Sequence, residues 1–478
     1  MAKGQQVKKT KIVATIGPSS ESEETLRGMI LAGLNVVRIN FSHARHDETA
    51  MLVGRIRRLA DELNRPVAVL GDLRGPRVRV GAMDNGGRIE LSAGNSLVLT
   101  PVECEGSPER VSVSYEKLAD DVSEGDAIIL DDGNLELLVE EICDRDVVGR
   151  ITRGGTLSSH RGLNMPGRHV SLPSVTEKDF ADVDFAIEQS FDFLALSFVQ
   201  KGSDVAGLNG YMEKKGHHIP VISKIEKAGA IDDLEEILRH SYGVMVARGD
   251  LALEMSIEEV PIAQKHIIAA CRKRAKPVIT ATQMLESMTH SHKPTRAEAN
   301  DVANAVIDGT DAVMLSGESA IGDFPVKTVE TMVRIVRRAE RALAKHEIPG
   351  LAELPHTSDI SHAVSRANHT AAEDLGAVAM LAYTRDGGTV RWLVCHRPRV
   401  PVLALCKRQA TCRQLALSWG VTPVFVEAVE GLDDLVEVAG QEAKRYGLAG
   451  TGDLVTISAT THFQGDRTHN IFRVERLG

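Results

Sequence analysis

The sequence predicts an α/β protein: a closed βα barrel carrying a β-rich insertion, followed by a separate α/β unit. Three observations carry this. Apolar strand-like runs alternate with amphipathic helix-like runs up to Asp72, and again from Leu172 to Ser316. Between them, Arg88 to Arg153 breaks the rhythm with short strands and Gly or Asp-Gly turns, as in Ile128 to Asn134. Polar groups gather just past the strand ends, where a closed βα barrel builds its active site.

Taken in order, the first stretch predicts strand Lys11 to Ile16, helix Ser22 to Ala32, strand Val36 to Ile39, helix Thr49 to Leu63 and strand Val67 to Leu70. After the insertion come helix Glu177 to Gln189, strand Phe193 to Phe198, helix Val205 to Lys215 and strand Pro220 to Lys224, and the alternation continues to Val313–Ser316. Pro349 and Pro355 mark Lys345 to Asp359 as a linker. The last unit reads as helix Ser361 to Leu375, strand Ala377 to Tyr383, strand Pro401 to Leu405, helix Gln409 to Trp419, strand Thr422 to Val426, helix Leu432 to Tyr446 and strand Leu454 to Ser458. The expected boundaries are 1–74 and 172–345 for the barrel, 75–171 for the insertion and 356–478 for the C-terminal domain.

A chain of 478 residues with 43% hydrophobic content has room for two to four domains. Its formal net charge of −10 argues against a general nucleic-acid binder, while leaving room for local basic pockets. Six cysteines are scattered with no C-x-x-C pair, which speaks against a disulfide framework or a structural zinc site and for free thiols in a reducing cytoplasm. No stretch approaches membrane-spanning length, so the expected location is cytoplasmic.

The most informative segment is Val221 to Gly229, V-I-S-K-I-E-K-A-G. Lys224 and Glu226, two apart at a strand end, share one face. A cation beside a carboxylate is the minimum equipment for holding a phosphorylated acid together with a divalent metal. Val244 to Glu254 repeats the design, running an apolar strand into Gly249 and Asp250, and the strand Pro277 to Thr282 ends in A-T-Q-M-L-E-S-M.

These motifs, with T-K-I-V-A-T-I-G-P-S-S near the start, V-V-R-I-N-F-S-H at Val36, D-L-R-G-P at Asp72 and the long run Lys293 to Ala320, resemble the pyruvate kinases over nearly the whole chain. The resemblance implies a (β/α)8 TIM barrel, a mobile inserted lid and a C-terminal effector domain in a homotetramer. It also implies phosphoryl transfer from phosphoenolpyruvate to ADP, giving pyruvate and ATP. Such a reaction asks mainly for positioning and charge compensation.

By that resemblance Glu226 and Asp250, hard oxygen donors, hold Mg²⁺ or Mn²⁺. Lys224 compensates the phosphoryl group in flight, although in isolation it reads equally as a structural ion pair. Arg38 grips the transferred phosphate with its fork of donors. Ser223, Ala247, Arg248, Gly249 and Asp250 frame the substrate, with backbone N–H groups at Gly249 and Asp250 receiving its carboxylate. Arg248 is the weaker member, because an arginine there can equally be an ion-pair strut. Thr282 stands near the enolpyruvate carbon that is protonated, through a relayed water. Arg38, Asn40, His43, Arg79 and Arg161 face the nucleotide, Arg161 from the lid; a lone histidine such as His43 is commonly only structural.

Two departures from the family pattern stand out. Many pyruvate kinases hold K⁺ through residues matching Asn40, Ser42, Asp72 and the carbonyl of Leu73, and carry Thr and Glu where this chain has Leu73 and Arg77. A fixed guanidinium replaces the soluble cation in this reading, so K⁺ is not required. The loop Thr384 to Thr389, T-R-D-G-G-T, matches a phosphate cradle but contains Asp386. The expectation is a sugar-phosphate effector of altered preference near Thr384, Gly388, Thr389 and Arg391. The rival readings are a barrel lyase acting on a pyruvyl substrate and a non-catalytic phosphosugar-sensing paralogue. The nucleotide-facing arginines oppose the first, and the intact Lys224, Glu226, Asp250, Thr282 and Arg38 the second.

Overall fold

A computed structural model describes residues 8–168, 170–355, 359–427, 429–461 and 469–478. The start of the C-terminal domain expected at 356 lies outside the described residues, as does part of the predicted linker.

Eight parallel strands close a barrel: Lys11–Thr15, Val36–Asn40, Ala68–Asp72, Phe193–Leu196, Val221–Ile225, Gly243–Ala247, Val278–Ala281 and Ala312–Leu315. Closure comes from Lys11 pairing with Ala312. Most of these strands are buried on both faces, because side chains of one parity fill the barrel and those of the other meet the surrounding helices. Val13, Leu70, Phe193, Ile222, Met245 and Ile279 pack inside, while Ile12, Val69, Leu194 and Val221 pack outward.

Helix boundaries follow local chemistry. The Ser22 side chain accepts from the Thr25 N–H to start Glu23–Ala32, and Gly33 ends that helix with φ +126°, a conformation that suits a residue without a Cβ. Thr176 and Asp179 form a reciprocal capping box at the start of Glu177–Glu188, as Thr295 and Glu298 do for Arg296–Asp308. The 20-residue helix Pro325–Ala344 covers the seam between the last and first strands, with Val329, Met332, Val333 and Val336 in the barrel's outer core.

The insertion has a six-stranded sheet and a two-stranded one around its own core, which includes Leu97, Leu99, Val111 and Ile128. It leaves the barrel after Asp72, at the C-terminal end of a strand. The C-terminal domain has five strands in the spatial order Val421–Phe425, Val402–Cys406, Ala379–Thr384, Leu454–Thr461, His469–Arg476. The last strand, antiparallel to its neighbour, and the helix Gly388–Val394 complete the elements foreseen there.

The C-terminal domain docks on the opposite end of the barrel from the insertion. Leu417 and Ala416 plug the barrel's inner core. Arg413 Nε reaches Asp192 at 2.7 Å, and Lys11 Nζ donates to the Val421 carbonyl at 2.7 Å. One barrel mouth is thereby closed by protein, and the other is left to the lid.

Candidate active site

The open mouth collects charge at the carboxyl ends of four strands. From the second strand, Arg38 donates through Nε to Asp72 Oδ2 at 2.6 Å and through Nη1 to Thr15 Oγ1 at 2.8 Å. Lys224 Nζ lies 2.7 Å from Glu226 Oε1 and 3.6 Å from Asp72 Oδ1, and donates to Ser197 Oγ at 2.8 Å. The strand ends at Ile225, and Glu226 turns back beside Lys224, its other oxygen accepting from the Phe198 N–H at 2.6 Å.

These groups are nearly dry: side-chain exposure is 12% for Lys224, 13% for Arg38 and 2% for both Asp72 and Glu226. Burial acts against the Lys224 charge, but Asp72, Glu226 and Asp250 outweigh it and hold the ammonium pKa above its ordinary value. Asp72 is held below the usual carboxylate range because Lys224 and Arg38 overcome its burial. Glu226 goes the other way. Burial raises it and the negative charge of Asp250 raises it further, with Lys224 pulling only part of the way back.

Thr282 has φ +67° and Gln283 φ +53°, an uncommon conformation for a β-branched residue. The bend aims the Thr282 hydroxyl at Gly249, whose N–H donates to it at 2.9 Å, while the hydroxyl donates to the Ala281 carbonyl at 2.6 Å. An added Cβ at Gly249 would lie 3.5 Å from Thr282 Oγ1, an ordinary contact, so the protein's own packing does not demand a glycine there. Ala247 is buried at the strand end just before it.

Two of the residues expected to frame the substrate are engaged elsewhere. The Ser223 hydroxyl pairs with Ser241 Oγ at 2.6 Å, on the helix side of the strand, because its parity is opposite to that of Lys224. The Arg248 guanidinium is spent on Asp301 Oδ1 at 2.7 Å, Ala281 O at 3.1 Å and Thr282 O at 2.5 Å. It is a strut that pins the bent Thr282 segment.

Of the residues expected to face the nucleotide, Arg161 meets Asp131 Oδ1 through Nε at 3.0 Å and Arg79 Nη1 donates to the His160 carbonyl at 2.7 Å, both within the insertion. Burial, then Arg77 and Arg74, press the Arg79 pKa down, the mark of three guanidinium groups crowded together. His43 is exposed. The Asn40 side chain accepts from the Ser42 N–H at 3.1 Å, and the Leu73 carbonyl accepts from Ser197 Oγ at 2.8 Å. Arg77 reaches toward Asp250, Nη2 to Oδ1 3.9 Å, on the carboxylate side of the mouth. A cleft between lid and barrel runs past Arg77, Asn164, Phe198, Lys227 and Asp250.

The chain matches two family models in tandem: pyruvate kinase, barrel domain, over residues 7–329, and pyruvate kinase, alpha/beta domain, over residues 362–475. The chain belongs to the pyruvate kinase family. It is 43% identical over 470 residues to pyruvate kinase of Geobacillus stearothermophilus, covering 98% of this chain and 80% of that one. It is 45% identical over 459 residues to pyruvate kinase 2 of Synechocystis, covering 95% and 77%. The crystal structure of a pyruvate kinase from Cryptosporidium parvum superposes with a TM-score of 0.91 at 35% identity, over 98% of this chain and 96% of the other. Pyruvate kinases are phosphotransferases, and membership makes this chain an enzyme of that class.

Sequence reasoning missed several supports of this pyruvate kinase-type site. Ser197 links Lys224 to the Leu73 carbonyl, and Asp301 anchors Arg248. Lys227 and Glu254 form a buried pair at 2.5 Å, and Glu254 is also bonded by Asn164 of the insertion, which ties lid to barrel. Lys227 and Glu254 stood inside the two motifs already singled out. Nothing in the sequence marked Ser197.

The loop expected to hold an effector carries hydrogen bonds of its own. Thr384 Oγ1 is buried and accepts from the Gly387 N–H at 2.9 Å, and Asp386 Oδ1 accepts from the Gly388 N–H at 3.0 Å. Arg391 lies with its guanidinium 4.6 Å from the ring centroid of Tyr242 in the barrel. A carboxylate of the chain itself thus sits on a donor that a phosphate would use.

Proposed function

We propose that this enzyme transfers a phosphoryl group from phosphoenolpyruvate to ADP, releasing pyruvate and ATP. The observation that carries the reading is the convergence of Lys224, Glu226, Asp250 and Thr282 on one barrel mouth, beneath an insertion whose Arg77 lines the adjoining cleft with Asp250.

Glu226 and Asp250 would hold the divalent cation, Mg²⁺ or Mn²⁺. The fit is chemical: burial and the neighbouring Asp250 charge raise the proton affinity of Glu226, and a small dication between the two oxygen donors relieves that repulsion. When bound, it neutralises charge building on the transferring group. The protein's own groups do the rest. Lys224 and Arg38 present two cations, oriented by Asp72, to the equatorial oxygens in flight. The Gly249 N–H receives the substrate carboxylate once Thr282 yields it. Thr282 then faces the carbon to be protonated and orders the water that delivers the proton. The arginines Arg74, Arg77, Arg79 and Arg161 offset the polyphosphate charge of the nucleotide.

The finer readings follow. K⁺ is dispensable, since Arg77 already supplies a permanent cation 3.9 Å from Asp250 and the Leu73 carbonyl is engaged by Ser197. Activation by a sugar phosphate requires displacing Asp386 from the Gly388 N–H, and the acid's repulsion favours a monophosphate over a more highly charged bisphosphate. The assembly is a homotetramer, and the free cysteines fit a reducing cytoplasm.

A coupled assay of ADP-dependent pyruvate formation tests the core claim. Pyruvate release without ADP, or turnover unaffected by Glu226→Gln, overturns it. Initial rates with and without KCl test the cation reading. A phosphosugar panel repeated on Thr389→Ala tests the effector, and sedimentation equilibrium tests the tetramer.

A further inference from the structure

The seam between the C-terminal domain and the barrel holds a cluster unrelated to the phosphoryl-transfer chemistry. His362, Cys395 and His396 each offer one ligand atom, and those three atoms lie within 4.8 Å of one another. His362 and Cys395 are buried, each 3% exposed. The imidazoles of His362 and His396 stack in nearly parallel planes, centroids 5.1 Å apart and 4° between them, and His369 stacks on the far side of His396 at 5.5 Å. His396 Nε2 and His369 Nδ1 are buried and have no hydrogen-bond partner among the described residues. Stacking explains the ring planes. It leaves those nitrogens unexplained, since a buried polar atom without a partner is costly.

We propose that His362, Cys395 and His396 form a binding site for one borderline-soft divalent cation of the zinc type. Two imidazoles and a thiol are the donors such ions prefer over Mg²⁺, so the site is chemically orthogonal to the carboxylates of the catalytic mouth. Around tetrahedral zinc, ligand atoms stand about 3.3–3.8 Å apart, so side-chain rotations of about 1 Å close the set. Coordination takes the Cys395 sulfur from its present bond to the Trp392 carbonyl, at 3.0 Å, and the thiol proton leaves to solvent. Three protein ligands leave one position open. The cleft lined by His369, His396, Arg366 and Arg397 gives the ion and that fourth ligand a path in.

Its consequence is mechanical. His362 lies on helix Ile360–Asp374, and Cys395 and His396 lie just past Gly388–Val394, so an ion crosslinks two elements of the domain. The same turn is fastened to the barrel by Arg272, whose Nε donates to the Cys395 carbonyl at 3.1 Å, and by the Arg397–Asp311 pair at 3.0 Å. Occupancy therefore stiffens the joint between the C-terminal domain and the barrel. Chain spacing gave no hint of it, because His362 stands far from the Cys395–His396 pair in sequence.

The test uses the full-length enzyme, stripped by chelator and held in excess Mg²⁺ to occupy the carboxylates, then titrated with Co²⁺. The expected result is a cobalt–thiolate charge-transfer band that saturates at one equivalent and is displaced by Zn²⁺. Cys395→Ser abolishes it, His396→Asn weakens Co²⁺ binding at least about tenfold, and Cys412→Ser leaves it intact. Absence of a thiolate band in the unaltered enzyme, or a band that survives Cys395→Ser, overturns the proposal. Should Cys395→Ser fail to fold, the unaltered enzyme and His396→Asn decide.

Discussion

Lys224→Met removes a group that touches two buried acids at once. Its ammonium lies 2.7 Å from Glu226 and 3.6 Å from Asp72. At an effective dielectric of about 20 those separations correspond to attractions of about 6 and about 5 kcal/mol. Desolvation and the nearby Arg38 offset most of that, and breaking such a buried pair from one side leaves a net loss of about 3–5 kcal/mol. In the metal-free enzyme this lowers the melting midpoint of the barrel by on the order of 10 °C. Mg²⁺ should recover part of it, because a dication replaces the lost charge beside Glu226. Turnover follows a different logic: in the proposed mechanism Lys224 acts where charge develops, so kcat should fall by about 10²–10³ and added Mg²⁺ should not restore it. Differential scanning calorimetry and the coupled pyruvate assay read the two effects separately. A variant that loses stability but keeps kcat within about threefold of the parent would show that the ammonium is only a structural counter-ion, and the reasoning given for the mouth would fail.

Arg77→Glu exchanges a fixed cation for an acid 3.9 Å from Asp250, so its rate in K⁺-free buffer should fall at least about tenfold and return on adding KCl, whereas the parent ignores KCl. Glu226 has its pKa raised by burial and then by Asp250, and its protonated form cannot hold a metal. Affinity for Mg²⁺ should therefore begin to fall while the pH is still above the ordinary carboxylate range, by about tenfold per unit below the raised value; activation curves taken at stepped pH check this, and pH-independent affinity down to that range would refute it. Arg248→Ala frees the Ala281 and Thr282 carbonyls and should cut kcat about 10²-fold by letting the positive-φ bend relax, while Asp301→Asn, which weakens only one of its bonds, costs about tenfold or less. Thr282→Ser keeps the hydroxyl and most of the rate, whereas Thr282→Ala loses about 10²–10⁴-fold, with solvent isotope effects reporting the protonation step.

The sequence by itself determined the architecture and the chemical inventory. Alternating apolar runs demanded a βα barrel, the break after Asp72 demanded an insertion, and the S-K-I-E and R-G-D segments named the charged groups at the mouth. Lys224 and Glu226 meet, as the two-residue spacing predicted, although the strand ends at Ile225 and Glu226 lies just beyond it. Other features were decided only in three dimensions. When both faces of a strand are buried, hydrophobicity carries no phase, so nothing local said whether Ser223 or Lys224 points into the barrel; the closed ring settled it and sent Ser223 to Ser241. Arg248 was legible as a cation that could serve the substrate or act as a strut, and the partner that engages it, Asp301, is distant in sequence. The same holds for Ser197 under Lys224, Arg77 beside Asp250 and Leu417 in the barrel's closed end. Residue type and spacing fix what a side chain offers. Which charge it meets depends on how distant strands close, since Coulomb and hydrogen-bond energies are set by separations that only the folded chain defines.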